Sequence, residues 1–512
     1  MGAKSSKNKI NEDLEKIGEN EVNISSKKPE IKKISTLNFS NNFIFKKNYT
    51  DLEKDYQIIK SLKKDINSEI SIVQNKLTDV KCLMKTIYKV KTFSQKEEDI
   101  FNNELKLLSA LDHPNITKIM AVYSKENLYS YITEYCKEGS LNDQLLNKGQ
   151  YDEKTSAYIM YQIFSALNYC HINDIINRDL SIENILISDI KGNLPTVKIS
   201  YFGNSIFIEN DNNEIKNLPK AFYYPPEINR ANKKFIDKSD IWSCGVIMYF
   251  LLTARPPFIG SDENEKKINI INENFNISDP PFDTISRECK DLLKLLLKSD
   301  PKKRPSAEEV LNHPWFTKTG VDTLIHRFNK EDTLERLLNN IKNYINVTIF
   351  KRFTIIYLIH NFPQITDVKN SAKLFYMIDT NHDGKIAKEE LLNGLNNNLS
   401  NKINDLEFDK LFKNIDLNNN GFIDYEEFVA AAVNKNYFLR ENILTQAFKF
   451  FDKDNSGEIS FDEIEKLFKD IITDDKIDVR QGLKKIMEQI DLNIDGKINF
   501  DEFCVFMKQL IE

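Results

Sequence analysis

The sequence predicts a multidomain chain: an α+β unit of two lobes, then an all-α array of helix–loop–helix units. Alternating, β-branched residues from Tyr56 to about Phe93 predict a small antiparallel sheet. After Tyr151 the apolar spacing becomes helical, with helices expected over Thr155 to Cys170, Ser239 to Thr253 and Ser286 to Leu297. In the last third, four twelve-residue loops begin 37, 36 and 39 residues apart, an internal repeat of one supersecondary unit. At 512 residues, three or four domains fit comfortably.

Residues 1–50 are rich in Lys, Asn, Ser and Glu with sparse apolar positions, so they are expected to be disordered. Their first six, Met1-Gly2-Ala3-Lys4-Ser5-Ser6, fit the N-myristoylation pattern, with Gly2 as acceptor once Met1 is removed. One acyl chain binds bilayers only marginally. Lys4, Lys7 and Lys9 supply a second signal toward an anionic surface, and the expected location is cytoplasmic with peripheral membrane attachment.

The two-lobed unit is expected over 51–317. Within it a helix from Glu97 to Leu111 carries Phe101, Leu105 and Leu108 at helical spacing, and His313-Pro314-Trp315 closes the unit. A linker over 318–360 follows, read as one long helix from Asp322 to His360. Its Leu334, Leu337, Leu338, Ile341, Tyr344 and Ile345 form an apolar stripe.

The module over 361–512 holds the loops 379–390, 416–427, 452–463 and 491–502. Each opens on Asp, carries Gly sixth and closes on Glu. Calcium takes six to eight oxygens, so a loop must turn sharply while offering them in sequence. The first offers Asp379, Asn381, Asp383 and Glu390, and the second Asp416, Asn418, Asn420 and Glu427. Asp452, Asp454, Ser456 and Glu463 serve the third, and Asp491, Asn493, Asp495 and Glu502 the fourth. The seventh position gives a main-chain carbonyl, here from Lys385, Phe422, Glu458 and Lys497. Ile386, Ile423, Ile459 and Ile498 stand eighth, suited to a short strand joining paired loops. Four such loops in succession imply calcium binding in the sensor range.

A net charge of −6 leaves no global basic field for nucleic acid. Six scattered cysteines without paired spacing read as reduced thiols, and the longest apolar run, Cys244 to Ala254, is too short to span a bilayer.

Asn177-Arg178-Asp179-Leu180, followed by Ser181 to Leu186 with Asn184, resembles a protein-kinase catalytic loop. Lys85 follows Cys82-Leu83-Met84 on a strand, and Glu104 lies on the next helix. Pro225-Pro226-Glu227, Asp240-Ile241-Trp242 and Arg304 match further kinase positions. With the calcium module behind it, the chain resembles the calcium-dependent protein kinases of plants and apicomplexan parasites. That implies a bilobal protein-kinase fold followed by a calmodulin-like EF-hand module, with Ca²⁺, and ATP with Mg²⁺, as the expected cofactors. It also implies protein substrates, a nucleotide pocket built with Leu62, Ile70, Lys85 and Glu134, and catalytic roles for Lys85, Glu104, Asp179 and Asn184. In that family the linker lies on the substrate side of the large lobe at rest, and calcium opens helix pairs that capture or reposition it. No oligomer is implied; a monomer is expected.

The departures concentrate where phosphate and metal bind. Asp-Phe-Gly reads Tyr201-Phe202-Gly203, and a neutral phenol is a poor magnesium ligand. The Gly-rich loop reads Leu62 to Ile70 without a glycine, leaving Lys63 and Lys64 as its only cations. Ser181 stands for the catalytic-loop Lys, Pro219-Lys220 for Gly-Thr, and Asn177 for His. Two readings follow: a calcium-regulated Ser/Thr kinase that is weak or metal-atypical, or a catalytically inactive pseudokinase acting as a calcium-dependent scaffold. Thr133 reads as the residue gating the pocket behind adenine or as core. Glu183 reads as a contact for a basic substrate residue or as a solvated carboxylate.

Overall fold

The structure is a computed structural model describing residues 45–48, 52–88, 94–125, 128–207, 223, 225–229, 237–326, 331–344, 347–362, 366–398, 405–471 and 479–509. Gly2, the N-terminal lysines and Pro219-Lys220 lie outside them.

The small lobe is one six-stranded sheet. Its strands are β1 (Phe45–Asn48), β2 (Tyr56–Lys64), β3 (Ser68–Asn75), β4 (Lys81–Tyr88), β5 (Ile119–Lys125) and β6 (Leu128–Glu134), in the order β1-β5-β6-β4-β3-β2. β1 corrects the expectation of disorder up to residue 50: it pairs in parallel along β5, whose edge would otherwise be open. The lobe's core gathers Val73, Cys82, Met84, Met120 and Ile132 with Tyr56 and Tyr123, which meet edge to face at 6.2 Å. Helix α1 (Gln95–Ala110) begins on a Ser94–Glu97 capping box and buries Phe101, Glu104, Leu107 and Leu108 against this sheet.

In the large lobe, α2 (Glu153–Ile172) and α3 (Asp237–Thr253) are buried on nearly every side, and so read as apolar rather than amphipathic. Asp240, at the start of α3 and fully buried, accepts from the main-chain N–H groups of Asn177 and Arg178, both at 2.8 Å, and faces His171. That anchors the catalytic-loop segment, where Arg178 has φ 65°. Arg304 makes a two-pronged contact with Glu227 at 2.5 and 2.7 Å and lies over the Trp242 ring.

The linker is not one helix. α4 (Glu331–Asn343) and α5 (Ile349–Asn361) are separate, with Val347 and Thr348 non-helical between them. The break includes Val347 and Thr348, both β-branched and weak helix formers, and Thr348 is extended as the N-cap of α5. Leu337, Leu338, Ile341 and Tyr344 of the stripe are buried, and α4 packs on α7 (Tyr425–Ala432) of the calcium module. Phe350 of α5 enters the other half of that module, stacking on Phe451 at 4.6 Å and meeting Phe503 and Phe506. Tyr357 stacks on Phe450 at 4.2 Å. The linker is thus enclosed by helix pairs of the module. Among the described residues no helix is long and apolar enough to cross a membrane.

Candidate functional site

Two sites were legible in the sequence, and the fold joins them through a third. The cleft between the lobes contains Lys85 on β4 and Glu104 on α1, their side chains paired at 2.5 Å. Tyr201 takes up the space beside them. Its ring stands 5.3 Å from the Lys85 ammonium, and Tyr131 stands 5.6 Å away on β6. Burial, then Glu104 and Asp179, raise the Tyr201 phenol far above its ordinary range, so it is neutral at pH 7. The hydroxyl folds back over Gly203, where an added Cβ would lie 2.6 Å from it.

Asp179 accepts from the Asn204 amide at 2.9 Å, a partner that motif matching did not reveal. Asn177 donates to the Tyr201 carbonyl at 3.0 Å and accepts from the Asp179 N–H at 3.1 Å. Asn184 donates its amide to the Asp179 carbonyl at 2.9 Å. Asn103 reaches the carbonyls of Phe202, Gly203 and Ser205 from α1. Kinase magnesium ions are held by a carboxylate at the Tyr201 position together with the catalytic-loop Asn. Asn184 alone remains of that pair, so these residues do not fit magnesium held in the usual way.

Where a glycine loop would cover phosphates, β2 and β3 continue as a paired hairpin, with Lys63 opposite Ile70 and Lys64 opposite Glu69. Lys63 pairs with Asp65 at 3.0 Å and Lys64 with Glu69 at 3.3 Å, so their charges are taken up locally. Asn67 at the tip bonds Glu97 of α1. Leu62 is half exposed on this hairpin. The Glu134 carboxylate accepts from the Lys118 N–H at 2.9 Å and from Lys198 at 2.7 Å. Thr133 is buried in the sheet. Glu183 is half-buried, with its carboxylate turned toward the Tyr223 hydroxyl.

The calcium loops share one internal pattern. The opening Asp accepts from the N–H of the fifth and sixth residues, and the closing Glu from those of the second, third and ninth. In the third loop these bonds are Asp452 to Ser456 and Gly457, and Glu463 to Lys453, Asp454 and Ser460. Oxygens of Asp452, Asp454 and Glu463 come within 4.8 Å of one another. The fourth loop holds Asp491, Asn493, Asp495 and Glu502 alike. The eighth residues join the loops in pairs, Ile386 with Ile423 through two 2.9 Å bonds and Ile459 with Ile498 in a two-stranded ladder.

In the first loop, burial and then Asp383 and Glu390 push the Asp379 carboxyl well up. In the second, burial and then Asp424 and Asp416 do the same to Glu427. Buried acids that repel one another, in an all-oxygen donor set, fit a hard dication. Asp424, the ninth residue, belongs to the second site: Asn418 and Asn420 both donate to it at 3.0 Å. Its position in the loop was the available signal.

The third element is the seam between the lobes and the module. Glu426, next to ligand Glu427, is buried against Lys118, which also pairs with Asp112 at 2.9 Å. His360 on α5 bridges Glu426 at 2.7 Å and the Ile119 carbonyl at 2.6 Å. Burial works to raise the Glu426 carboxyl, but Lys118 and His360 prevail and hold it below the ordinary glutamate range. The Glu426 N–H donates to Asp112 at 2.7 Å. Farther along, Tyr376 bonds Asn115, and Asn168 of α2 bonds the His382 carbonyl in the first loop. An added Cβ on Gly384 would lie 2.5 Å from the Tyr169 ring.

Comparison with known proteins agrees with this architecture. A family model described as the protein kinase domain matches residues 56–316, and one for an EF-hand domain pair matches 369–433 and 441–508. The chain is similar to Calcium-dependent protein kinase 33 of Arabidopsis thaliana, at 30% identity over 91% of this chain and 87% of the relative. Calcium-dependent protein kinase 4 of Plasmodium berghei (strain Anka) is 31% identical, over 88% and 85% of the two chains.

Proposed function

Because the chain belongs to the calcium-dependent protein kinase family, we propose that it is a calcium-responsive Ser/Thr protein kinase relative whose phosphotransfer from ATP to proteins is weak and metal-atypical. The observation that carries this reading is the Tyr201 ring over Lys85, where a metal-holding carboxylate is needed. Each 1.36 kcal/mol lost from transition-state stabilisation costs tenfold in rate, and metal-charge stabilisation is worth several kcal/mol. Lys85, Glu104 and Asp179 still supply a cation for phosphate, its orienting partner and a carboxylate for the acceptor hydroxyl.

The second reading, a calcium-dependent scaffold, is favoured by the hairpin over the phosphate region with its lysines already paired. In both readings calcium supplies charge to the loop carboxylates, and the enclosed linker together with Glu426 carries the loading state to the lobes. Attachment to membranes through acylated Gly2 belongs to the same proposal and rests on the sequence motif. Gly2→Ala should release the protein from membrane fractions; unchanged fractionation would remove that part.

The deciding experiment measures nucleotide-dependent thermal shift with and without Mg²⁺, beside a phosphotransfer assay at saturating calcium. The kinase reading expects slow phosphorylation that Asp179→Asn abolishes. Nucleotide binding indifferent to Mg²⁺ with no phosphotransfer would replace it with the scaffold reading.

A further inference from the structure

A cavity of about 130 Å³ lies in the seam, between the back of the small-lobe hinge and the calcium module's incoming helix α6 (Thr366–Ile378). Its wall carries five lysines, Lys118, Lys191, Lys198, Lys369 and Lys373, against a single carboxylate, Glu134. Three of these ammoniums are already compensated: Lys118 by Asp112 and Glu426, Lys198 by Glu134, and Lys369 by Asp189 at 3.0 Å.

Lys191 and Lys373 are left, and among the described residues no ion pair is formed by either. They come from distant parts of the chain, Lys191 ending the strand Ile185–Lys191 of the large-lobe hairpin and Lys373 in α6. Burial and then the like charge of Lys191 hold the Lys373 ammonium below the ordinary lysine range, and no carboxylate acts to raise it. Lys191 is exposed and Lys373 half-buried, and an anion lying between them relieves the repulsion of two like charges held on either side of the seam. A third group also lacks a partner. Tyr158 of α2 lines the cavity, and burial alone pushes its phenol up to about 12. Its hydroxyl has no hydrogen bond among the described residues.

Leu194, Ile325, Ile359 and Val368 give the wall an apolar side, beside the polar Asn115, Gln162, Ser188 and Thr196. A cavity of roughly 150 Å³ has room for a benzene ring. Two uncompensated positive charges match a phosphate monoester, which carries about −1.5 to −2 at pH 7. We propose that this cavity is a binding site for a small phosphate monoester with a compact apolar body, its phosphoryl group held by Lys191, Lys373 and the Tyr158 hydroxyl. Because the wall combines residues of the kinase fold, the linker and the calcium module, a ligand there stabilises the docked arrangement by mass action. Such an input is additional to calcium and distinct from the nucleotide cleft.

The probe is phenyl phosphate, with inorganic phosphate as the second arm, titrated onto the calcium-loaded full-length protein and read by calorimetry and thermal shift. Phenyl phosphate should bind saturably and more tightly than inorganic phosphate, whose lack of a body leaves the apolar wall unused. Lys191→Gln with Lys373→Gln should weaken phenyl phosphate at least about tenfold, and Tyr158→Phe roughly threefold. Both changes lie at the edge of the seam; a circular dichroism spectrum and calcium titration matching wild type establish that the variants are folded. Lys85→Met, in the nucleotide cleft, should leave phenyl phosphate binding unchanged. No saturable binding up to about 10 mM, binding unchanged in the double lysine variant, or binding abolished by Lys85→Met each overturns the assignment.

Discussion

Lys118 and Glu426 lie 308 residues apart in sequence and form a buried ion pair, one from the segment leading into β5 and the other from the first turn of α7. Glu426 adjoins the closing calcium ligand Glu427, so the residue that senses the ion and the residue that grips the lobe share a peptide bond. Removing one partner of a buried pair strands the other charge. Glu426→Gln and Lys118→Gln should each destabilise the calcium-loaded chain by about 3 kcal/mol, and the double variant by clearly less than their sum. Denaturant unfolding of all four proteins checks this; simple additivity would mean the two groups are not energetically joined.

Tyr201→Asp alone should restore one magnesium ligand, giving a small Mg²⁺-dependent gain in nucleotide affinity and little phosphotransfer. Ser181→Lys, Lys220→Thr and glycines at Lys63, Asp65 and Ser68 should be needed with it, because transition-state contacts act as a unit. Steady-state phosphorylation of a generic protein substrate reads the difference. A single change that restores full activity would contradict this account of the cleft.

Leu337→Ser with Ile341→Ser opens the buried face of α4 toward α7. Each change should cost about 2–4 kcal/mol of linker docking, while no calcium ligand is touched. Calcium should still bind, but the calcium-induced change in protease sensitivity of the full chain should disappear. A wild-type digestion pattern would exclude the stripe as the coupling element.

Lys435, just beyond α7, donates to the Ala431 carbonyl at 2.8 Å and lies over the Tyr344 ring. Burial pushes its ammonium down to about 7. The unfolded chain therefore binds the extra proton between pH 7 and the ordinary lysine range near 10.5, and folding stability gains about 1 kcal/mol per pH unit across that window. Lys435→Met should flatten this rise and stabilise the protein below pH 7. Unfolding midpoints measured from pH 6 to 9 on both proteins test the sign.

What the sequence made legible were sites whose parts lie close together along the chain. A calcium loop keeps its ligands within twelve residues, and the joining role of Ile386, Ile423, Ile459 and Ile498 follows from their place in it. Lys85 and Glu104 were readable because each sits in a recognisable local context. The seam was hidden for the opposite reason. Asp112, Lys118, His360 and Glu426 look like ordinary solvated charges until docking removes their water, and no periodicity marks them. Nor does the sequence show that the Glu134 carboxylate answers Lys118 and Lys198. The linker's break was present in the asparagines and β-branched residues before Thr348, outweighed by a long apolar stripe.

Gly384 against Tyr169 gives the first calcium loop a property of time as well as affinity. That loop is pressed against α2 and its His382 carbonyl is held by Asn168, whereas space around Gly457 and Gly496 in the third and fourth loops is open. An ion leaves by distorting its loop, and a loop clamped to a wall distorts less often. The third and fourth loops should therefore empty quickly when calcium falls and the first slowly, giving two phases in stopped-flow release by a chelator. Asn168→Ala should hasten only the slow one. A chain built this way distinguishes a sustained calcium rise from a brief pulse of equal height.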